Sequence, residues 1–206
     1  DTHGKNMIDR PKFKEIAYEV KGKGTVMPYK DVEDIYDTVE LKMDGIWGVF
    51  ICDKYGYWEI QSRTGKIKKE GHTTREGCWG ATIIGEFMHG SHWANQRGYD
   101  GKFFAYDMLH SETTIGGPKG DMKEWHFIKR RGKLRELIKH RGGKLVPDFI
   151  HLNHSNPVRD WAALWDGYVQ DEGYEGLVFK KNDERWDEST WARMKAKAEI
   201  DYICMG

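Results

Sequence analysis

The sequence has few cysteines and no long apolar run, and each absence excludes a class of protein. Its three cysteines, Cys52, Cys78 and Cys204, are odd in number, lie far apart and form no CxxC pair. This pattern argues against a disulfide framework or a zinc site and predicts a reducing, cytoplasmic environment. No apolar stretch reaches the length of a membrane span, and no signal-peptide pattern is present. We therefore expect no role for a membrane.

The chain also lacks a net charge, because 33 basic residues balance 33 acidic ones. The balance alone gives no argument for a nucleic-acid partner, but the distribution is uneven. One basic run contains Lys66, Lys68 and Lys69, and a denser one extends over residues 129–144. Such runs are typical either of a surface that follows a phosphate backbone or of a solvated helix face, and the sequence leaves both open.

The length and composition are those of a globular protein. The chain has 206 residues, of which 38% are hydrophobic and 32% are charged, so it can bury a core without disulfides or metals. Aromatic residues make up 13%, which fits either an aromatic core or a base-stacking surface. We expect one domain over residues 1–206, with residues 1–14 as a flexible arm. The first residue is Asp1 rather than Met, which we interpret as trimming.

Short strands dominate the predicted secondary structure. Residues 38–52 read as a strand, a tight turn at Asp44-Gly45 and a second strand, and residues 55–62 continue a meander. Further strands are predicted at 81–88, 102–109, 176–181 and 200–205, with a loop at 89–101. Two helices are predicted, one over 124–140 and one that starts at Asn156-Pro157 and ends at Gly173. Many strands with few helices indicate an α+β fold with antiparallel sheets.

The segment Glu40-Leu41-Lys42-Met43-Asp44-Gly45 contains the first candidate for catalysis. A lysine on a strand just before an Asp-Gly turn is held firmly, and its amine can attack the α-phosphate of a nucleotide to form a phosphoramidate. Alone, this spacing is weak and equally fits a surface lysine in a hairpin.

Five further segments follow in a fixed order and strengthen the hypothesis. They are Ser62-Arg63-Thr64-Gly65, Ile84-Gly85-Glu86-Phe87, the strand at 103–109 with Tyr106-Asp107, Glu175-Gly176-Leu177-Val178-Phe179-Lys180, and residues 191–197 followed by Asp201. The series resembles the covalent nucleotidyltransferase superfamily, which includes ATP-dependent DNA ligases, RNA ligases and mRNA-capping guanylyltransferases. It is most similar to the small phage and viral ATP-dependent DNA ligases, and the resemblance covers residues 40–206.

The resemblance implies how the nucleotide is bound. Glu40 would recognise the adenine amino group, which favours ATP over GTP and makes a guanylyltransferase less expected. Arg63 would contact the ribose or a DNA phosphate, and Glu86 would hold the ribose hydroxyls. Tyr106 would stack on the base. The implied architecture is two antiparallel sheets flanked by helices, with a nucleotide cleft between them, as in the ATP-grasp-like nucleotidyltransferase domain of DNA ligases.

The resemblance also implies the catalytic residues. Lys42 would take the AMP, and Glu175, together with Glu86, would bind Mg²⁺. Lys195 would neutralise the α-phosphate with a second cation, which is Arg193 or Lys197 because two registers of the final motif compete. This chemistry needs positioning, a metal ion and cations rather than covalent help from other side chains.

The chain departs from the family at two places. Trp47 stands where the family has an arginine, so a cationic contact to the nucleotide or the nick is missing or supplied elsewhere. The chain also stops where the family's oligonucleotide-binding barrel would begin. We expect a monomeric ligase domain that transfers AMP to the 5′-phosphate of nicked double-stranded DNA during replication or repair. The alternatives are an RNA ligase and a catalytically inactive nucleic-acid-binding relative.

Overall fold

The computed structural model describes residues 8–16, 18–21, 24–28 and 32–196. Their contacts divide the chain into two compact units. The large unit comprises the described residues within 8–11, 44–153 and 183–188, and the small unit comprises those within 12–43, 154–182 and 189–196. The strand predicted at 200–205 lies outside the described residues.

The described elements follow one another in short segments. The strands are β1 (Lys12–Glu15), β2 (Tyr18–Lys21), β3 (Gly24–Pro28), β4 (Thr38–Lys42), β5 (Ile46–Cys52), β6 (Tyr57–Ser62), β7 (Ile67–His72), β8 (Thr82–Phe87), β9 (Phe103–Ser111), β10 (Gly120–Asp121), β11 (Ile150–Leu152), β12 (Ser155–Pro157), β13 (Gly176–Lys180) and β14 (Thr190–Lys195). The α-helices are α1 (Val32–Ile35), α2 (His92–Gln96), α3 (Phe127–Ile138) and α4 (Trp161–Leu164). A π-helical segment, Trp165–Gln170, continues α4, and 3₁₀ turns lie at Glu76–Cys78, Val158–Asp160 and Trp186–Glu188.

The large unit is built on a sheet with the strand order β10-β9-β8-β5-β6-β7, to which β11 adds beside β9. All of its pairings are antiparallel except β11 with β9. Because side chains alternate along a strand, one face collects Phe50, Ile60 and Phe103 and packs on Leu134 and Leu137 of α3. The opposite face carries the row of Trp47, Glu86 and Phe104 that is described below.

The small unit contains a sheet with the order β1-β14-β13-β4-β12, in which only β1 and β14 run parallel, and a separate antiparallel pair of β2 and β3. Val39 and Leu41 of β4 lie opposite Phe179 and Leu177 of β13. All four are buried, so this face of the sheet is apolar. The next residues along each strand point to the other face.

The turn predicted at Asp44-Gly45 does not close a hairpin. Strand β4 pairs with β12 and β13, whereas β5 pairs with β6 and β8. The two strands therefore belong to different sheets, and Asp44-Gly45 is the point where the chain passes from one sheet to the other. A Cβ atom on Gly45 would lie 2.7 Å from the carbonyl oxygen of Phe87, which explains why glycine is required there.

Two helices were predicted, whereas the described residues form four α-helices, and the two predicted ones differ in extent. Helix α3 is shorter than predicted and buries Phe127, Leu134, Leu137 and Ile138 as expected. The second helix does not start at Asn156-Pro157, because these residues form β12 and pair with β4. A proline is tolerated in this strand because β12 is at the edge of its sheet. The loop predicted at 89–101 contains the short helix α2.

The basic run at 129–144 contains exposed cations, among them Lys129, Arg135 and Lys139, and two buried ones. Arg130 and Lys133 are completely buried. The guanidinium of Arg130 forms a bidentate ion pair with Asp107, with N–O distances of 2.8 and 3.1 Å. The ammonium of Lys133 donates to the carbonyl oxygens of Thr113, Gly117 and Pro118. These two cations of the run thus stabilise the large unit, and both alternatives for the run stay open for its exposed residues.

No helix in the described part of the chain is long and apolar enough to cross a membrane.

Candidate active site

The polar face of the small unit's sheet brings together the three residues predicted to be catalytic. Gly176 of β13 pairs with Lys42 of β4 on one side and with Lys195 of β14 on the other. The Glu175 carboxylate accepts a hydrogen bond from Lys42 Nζ at 3.0 Å, and its other oxygen lies 3.5 Å from Lys195 Nζ. One carboxylate, from the residue just before β13, therefore bridges two ammonium groups that come from the strands on either side of β13.

Gly176 makes this arrangement possible. A Cβ atom at this position would lie 2.0 Å from the carbonyl oxygen of Met194 and 2.9 Å from Cα of Lys195, distances that no side chain can occupy. The glycine allows β13 and β14 to approach closely and leaves no side chain between the two lysines. The side chains of Lys42 and Lys195 are 16% and 44% exposed, so both remain accessible to a ligand.

A buried ion pair lies on the same face of the sheet, further from Gly176 along β4 and β13. The Glu40 carboxylate is 3.0 Å from Lys180 Nζ, and both side chains are at most 2% exposed. The same ammonium lies 4.0 Å from the ring centroid of Trp191. Sequence reasoning missed this role of Lys180, although its spacing from Gly176 on β13 places it on the same face. The assignment of Glu40 to adenine stays a prediction, since its carboxylate faces Lys180 here.

The final motif can be aligned in two registers, which assign the second cation either to Arg193 or to Lys197. Arg193 lies on the same face of β14 as Lys195, two residues away, and forms an ion pair with Glu15 of β1. Its guanidinium also lies 5.0 Å from the ring centroid of Phe13. Lys197 and Asp201 lie outside the described residues. Residues 12–15, which overlap the end of the predicted arm, thus form a strand that anchors Arg193.

The remaining candidates lie in the large unit, on the face of its sheet that points away from the core. Glu86 of β8 lies directly opposite Trp47 on β5 and Phe104 on β9, so the three share one row across the sheet. Arg63 follows the last residue of β6 in the turn to β7. The expected partners in metal binding, Glu86 and Glu175, therefore belong to different units.

Tyr106 occupies a β-bulge. Ala105 pairs with Gly85 and Asp107 pairs with Ile84, so Tyr106 is the extra residue on β9. The burial pattern of β9 places Tyr106 on the same side as Phe104, away from the core. Bulges are frequent beside active sites because they redirect a side chain. The sequence offered no signal for this irregularity.

No three His, Cys, Asp or Glu side chains of the described residues converge to form a metal site. Where Mg²⁺ accompanies a nucleotide, one or two carboxylates and the substrate phosphates share its coordination. Glu175 offers hard oxygen donors of the required kind, and the neighbouring lysines leave it partly exposed. The residues present therefore fit a magnesium ion that arrives with a triphosphate.

His151 of β11 lies beside Phe104 of β9, and the centroids of the two rings are 5.8 Å apart. Burial and the nearby charges of Lys144 and Lys102 lower the pKa of His151, while Asp148 opposes them. The unfolded chain then binds more protons than the folded one just below pH 6.5, so stability falls as the pH is lowered from 7 to 5. We expect the free energy of unfolding to fall less between pH 7 and pH 5 for His151→Gln than for the unmutated chain. Denaturant titrations at the two pH values measure this difference. An equal loss in both proteins would contradict this role.

Neither a protein-family model nor a curated protein sequence matches the chain. Solved structures do match. The ligase domain of M. tuberculosis LigD is 18% identical, with a TM-score of 0.52 over 78% of this chain and 54% of that one. The ATP-dependent DNA ligase of bacteriophage T7, in complex with ATP, is 17% identical, with a TM-score of 0.50 over 82% and 65%. An archaeal ATP-dependent RNA ligase is 15% identical, with a TM-score of 0.50 over 81% and 45%.

These similarities confirm the predicted fold and its resemblance to ATP-dependent ligases. The chain has the α+β architecture of the ligase nucleotidyltransferase domain, with two mostly antiparallel sheets and few helices. It spans 54% of the length of the LigD chain and 65% of the T7 chain. The nucleotide cleft between the sheets stays a prediction.

Proposed function

We propose that this chain is the nucleotide-transferring part of an ATP-dependent polynucleotide ligase, in which Lys42 becomes covalently adenylated. The observation that carries the proposal is the cluster of Lys42, Glu175 and Lys195 around Gly176. A surface lysine in a hairpin would need no such surroundings. The ligase fold supports the same reaction class.

The geometry supports a specific order of bond changes. The Lys42 amine attacks the α-phosphorus of ATP, a P–N bond forms, and the P–O bond to the β-phosphate breaks to release pyrophosphate. The amine can attack only without its extra proton, and the Glu175 oxygen at 3.0 Å is positioned to accept that proton. Lys195 lies beside the same carboxylate and is placed to balance negative charge on the α-phosphate.

Magnesium would be held by Glu175 together with the phosphates of ATP, and when bound it would supply positive charge to the phosphate oxygens. Glu86 belongs to the other unit and stays proposed for the ribose hydroxyls and for the metal. Arg193 forms an ion pair with Glu15 and lies two residues from Lys195 on the same face of β14. We therefore favour Arg193 over Lys197 as the second cation.

The experiment that tests the proposal is a covalent label from ATP. The chain is incubated with ATP that carries radioactive phosphorus at the α-position, with Mg²⁺ and a pyrophosphatase, and is then denatured. We expect a label that requires Mg²⁺, survives denaturation and is not formed from GTP. A binding module without catalysis would bind nucleotide but lose the label on denaturation.

An RNA ligase is the second candidate, because the archaeal RNA ligase matches the fold at the same TM-score as the T7 DNA ligase. The two functions share AMP transfer and differ only in the strand that accepts it. Nicked duplexes that carry the 5′-phosphate on either a DNA or an RNA strand distinguish them. Faster formation of the adenylated DNA strand supports the DNA ligase.

Tyr106 is the proposed base-stacking residue, and its redirection by the bulge agrees with that role. Stacking on an aromatic ring contributes about 1–3 kcal/mol per base. We therefore expect Tyr106→Ala to weaken ATP binding by about tenfold or more, and Tyr106→Phe to leave it nearly unchanged, as measured by calorimetry. Equal losses in both variants would assign the role to the hydroxyl group instead.

A further inference from the structure

Two buried cysteines of the large unit are in contact with each other. Cys52, the last residue of β5, is 3% exposed, and Cys78, in the 3₁₀ turn Glu76–Cys78, is completely buried. Both are free thiols, and a hydrogen bond joins their side chains. A single buried cysteine usually packs as a small apolar group. Two thiols in contact are different, because they can be joined by a covalent bond.

The backbone holds the two cysteine-bearing segments together. The Cys52 N–H donates to the Ala81 carbonyl at 3.0 Å, and the Ala81 N–H donates to the Cys78 carbonyl at 2.9 Å. Beside these bonds, the Gly80 N–H donates to the Asp53 carbonyl at 3.2 Å. Hydrogen-bonded segments lie about 5 Å apart, which is also a Cα separation that a disulfide spans. The contact between the two thiols is therefore set by the fold.

The turn that carries Cys78 is also anchored on its other side. A Cβ atom on Gly77 would lie 2.5 Å from the Cβ atom of Leu145, so the turn packs directly against that residue. Just before the turn, the Arg75 guanidinium donates to the Lys144 carbonyl at 2.8 Å. Cys78 is thus fixed in position before any bond forms, and a crosslink there costs little conformational entropy of the folded chain.

An open cavity borders both cysteine-bearing segments. Its volume is about 640 Å³, and its wall includes Gly77 and Trp79, the two residues that flank Cys78. Lys54, two residues after Cys52, also lines it. The thiols lie behind this wall, so a reagent must be small and must use local opening of the turn to reach them. Hydrogen peroxide, which is little larger than water, meets this requirement.

We infer that Cys52 and Cys78 form a redox-sensitive pair, which a hydroperoxide oxidises to a disulfide within the large unit. The two thiols lose two hydrogen atoms and two electrons in total. The O–O bond of hydrogen peroxide breaks, and both of its oxygen atoms leave as water. In a reducing environment the pair stays as two thiols. The inference goes beyond the proposed function and does not depend on it, because no residue of the candidate active site takes part.

The hydrogen bond between the thiols determines which of them reacts first. Contact with Cys78 lowers the pKa of the Cys52 thiol, and the same contact raises the pKa of the Cys78 thiol. The thiolate is the nucleophile, so Cys52 attacks one peroxide oxygen, forms an S–O bond and releases hydroxide. The Cys78 sulfur then displaces the oxygen of this sulfenic acid, an S–S bond forms, and water leaves with the Cys78 proton. The released hydroxide takes up the proton that Cys52 lost.

The disulfide encloses the hairpin of β6 and β7, because both strands lie between the two cysteines in the sequence. A crosslink that closes a loop of this length restricts the unfolded chain and stabilises the folded one. We expect the oxidised chain to melt at a Tm about 5–10 °C above that of the reduced chain. Differential scanning calorimetry measures the shift, which should disappear after treatment with dithiothreitol.

Peptide mapping of the folded, unmutated chain tests the crosslink directly. The chain is exposed to hydrogen peroxide, its remaining thiols are alkylated in denaturant, and trypsin digestion follows without reduction. We expect residues 43–54 and 76–97 in one crosslinked species that is two hydrogen atoms lighter than the two peptides together and separates on reduction. The same treatment of the chain in guanidinium should give no preference for this pair, since only the fold brings the cysteines together.

Matched variants separate the pair from the third cysteine, Cys204, which lies outside the described residues. Cys204→Ala should form the crosslink and show the same rise in Tm, whereas Cys78→Ala should show neither. Because the mapping uses the unmutated chain, the result holds even if Cys78→Ala fails to fold. Recovery of both peptides with alkylated thiols after peroxide treatment overturns the inference. A crosslink from Cys52 or Cys78 to Cys204 in place of the pair overturns it as well.

Discussion

Replacing Lys42 with alanine is expected to abolish formation of the covalent adduct with AMP. A neighbouring side chain cannot take over the attack, because the reaction requires an amine at the position that β4 provides. Lys42→Arg should abolish the adduct as well, since a guanidinium stays protonated and has no lone pair to attack with. Intact-mass measurement after incubation with ATP, Mg²⁺ and pyrophosphatase detects the adduct directly.

The position and the bond type provide two further checks on Lys42. Peptide mapping should place AMP within residues 39–45, and the P–N bond should be cleaved by acid but not by base. Lys139→Ala, which removes an exposed lysine at the end of α3, is the matched control and should be modified normally. An adduct that persists in Lys42→Ala, or a modified peptide elsewhere, would show that another residue is the nucleophile.

The second large effect concerns stability rather than catalysis. Arg130→Met should lower the free energy of unfolding by about 3–5 kcal/mol, because it leaves the Asp107 carboxylate buried without its charged partner. Both side chains are completely buried, and the guanidinium also donates to the carbonyl oxygens of Trp125 and Glu184. Removal of Arg130 therefore leaves several buried acceptors unpaired. Chemical denaturation measures the loss.

A matched control is available on the same helix. Arg135 is exposed on α3, so Arg135→Met should change the unfolding free energy by no more than about 0.5 kcal/mol. The double variant Arg130→Met, Asp107→Leu should be more stable than Arg130→Met alone, since the second change removes the stranded charge. Similar losses in the two single methionine variants would mean that the buried ion pair contributes little.

Much of the fold could be read from local patterns. Alternation of apolar and polar residues located β5, β6, β8, β9 and β13 to within a few residues. Helix α3 was predicted because its apolar residues recur at helical spacing, and those residues do form its buried face. Local patterns failed where a tertiary contact decided the outcome. Asn156-Pro157 resembles a helix start, but pairing with β4 makes it a strand.

Charge is the property that the sequence described least well. A dense basic run has the same sequence pattern whether its side chains are solvated, bind phosphate or are buried. Arg130 and Lys133 are buried because Asp107 and three backbone carbonyls, distant in sequence, satisfy their hydrogen bonds. The pairing of Glu40 with Lys180 has the same origin.

The sequence by itself determined which residues are candidates for catalysis, because the spacing within each motif is a local property of one strand or turn. The order of these segments along the chain carries the resemblance to nucleotidyltransferases, and that resemblance implies the roles of Lys42, Glu175 and Lys195. Only the tertiary structure decided that they meet, since their contact depends on the register of β4, β13 and β14, which are joined through Gly176. A one-residue shift in either pairing would turn a lysine to the apolar face of the sheet and separate it from Glu175.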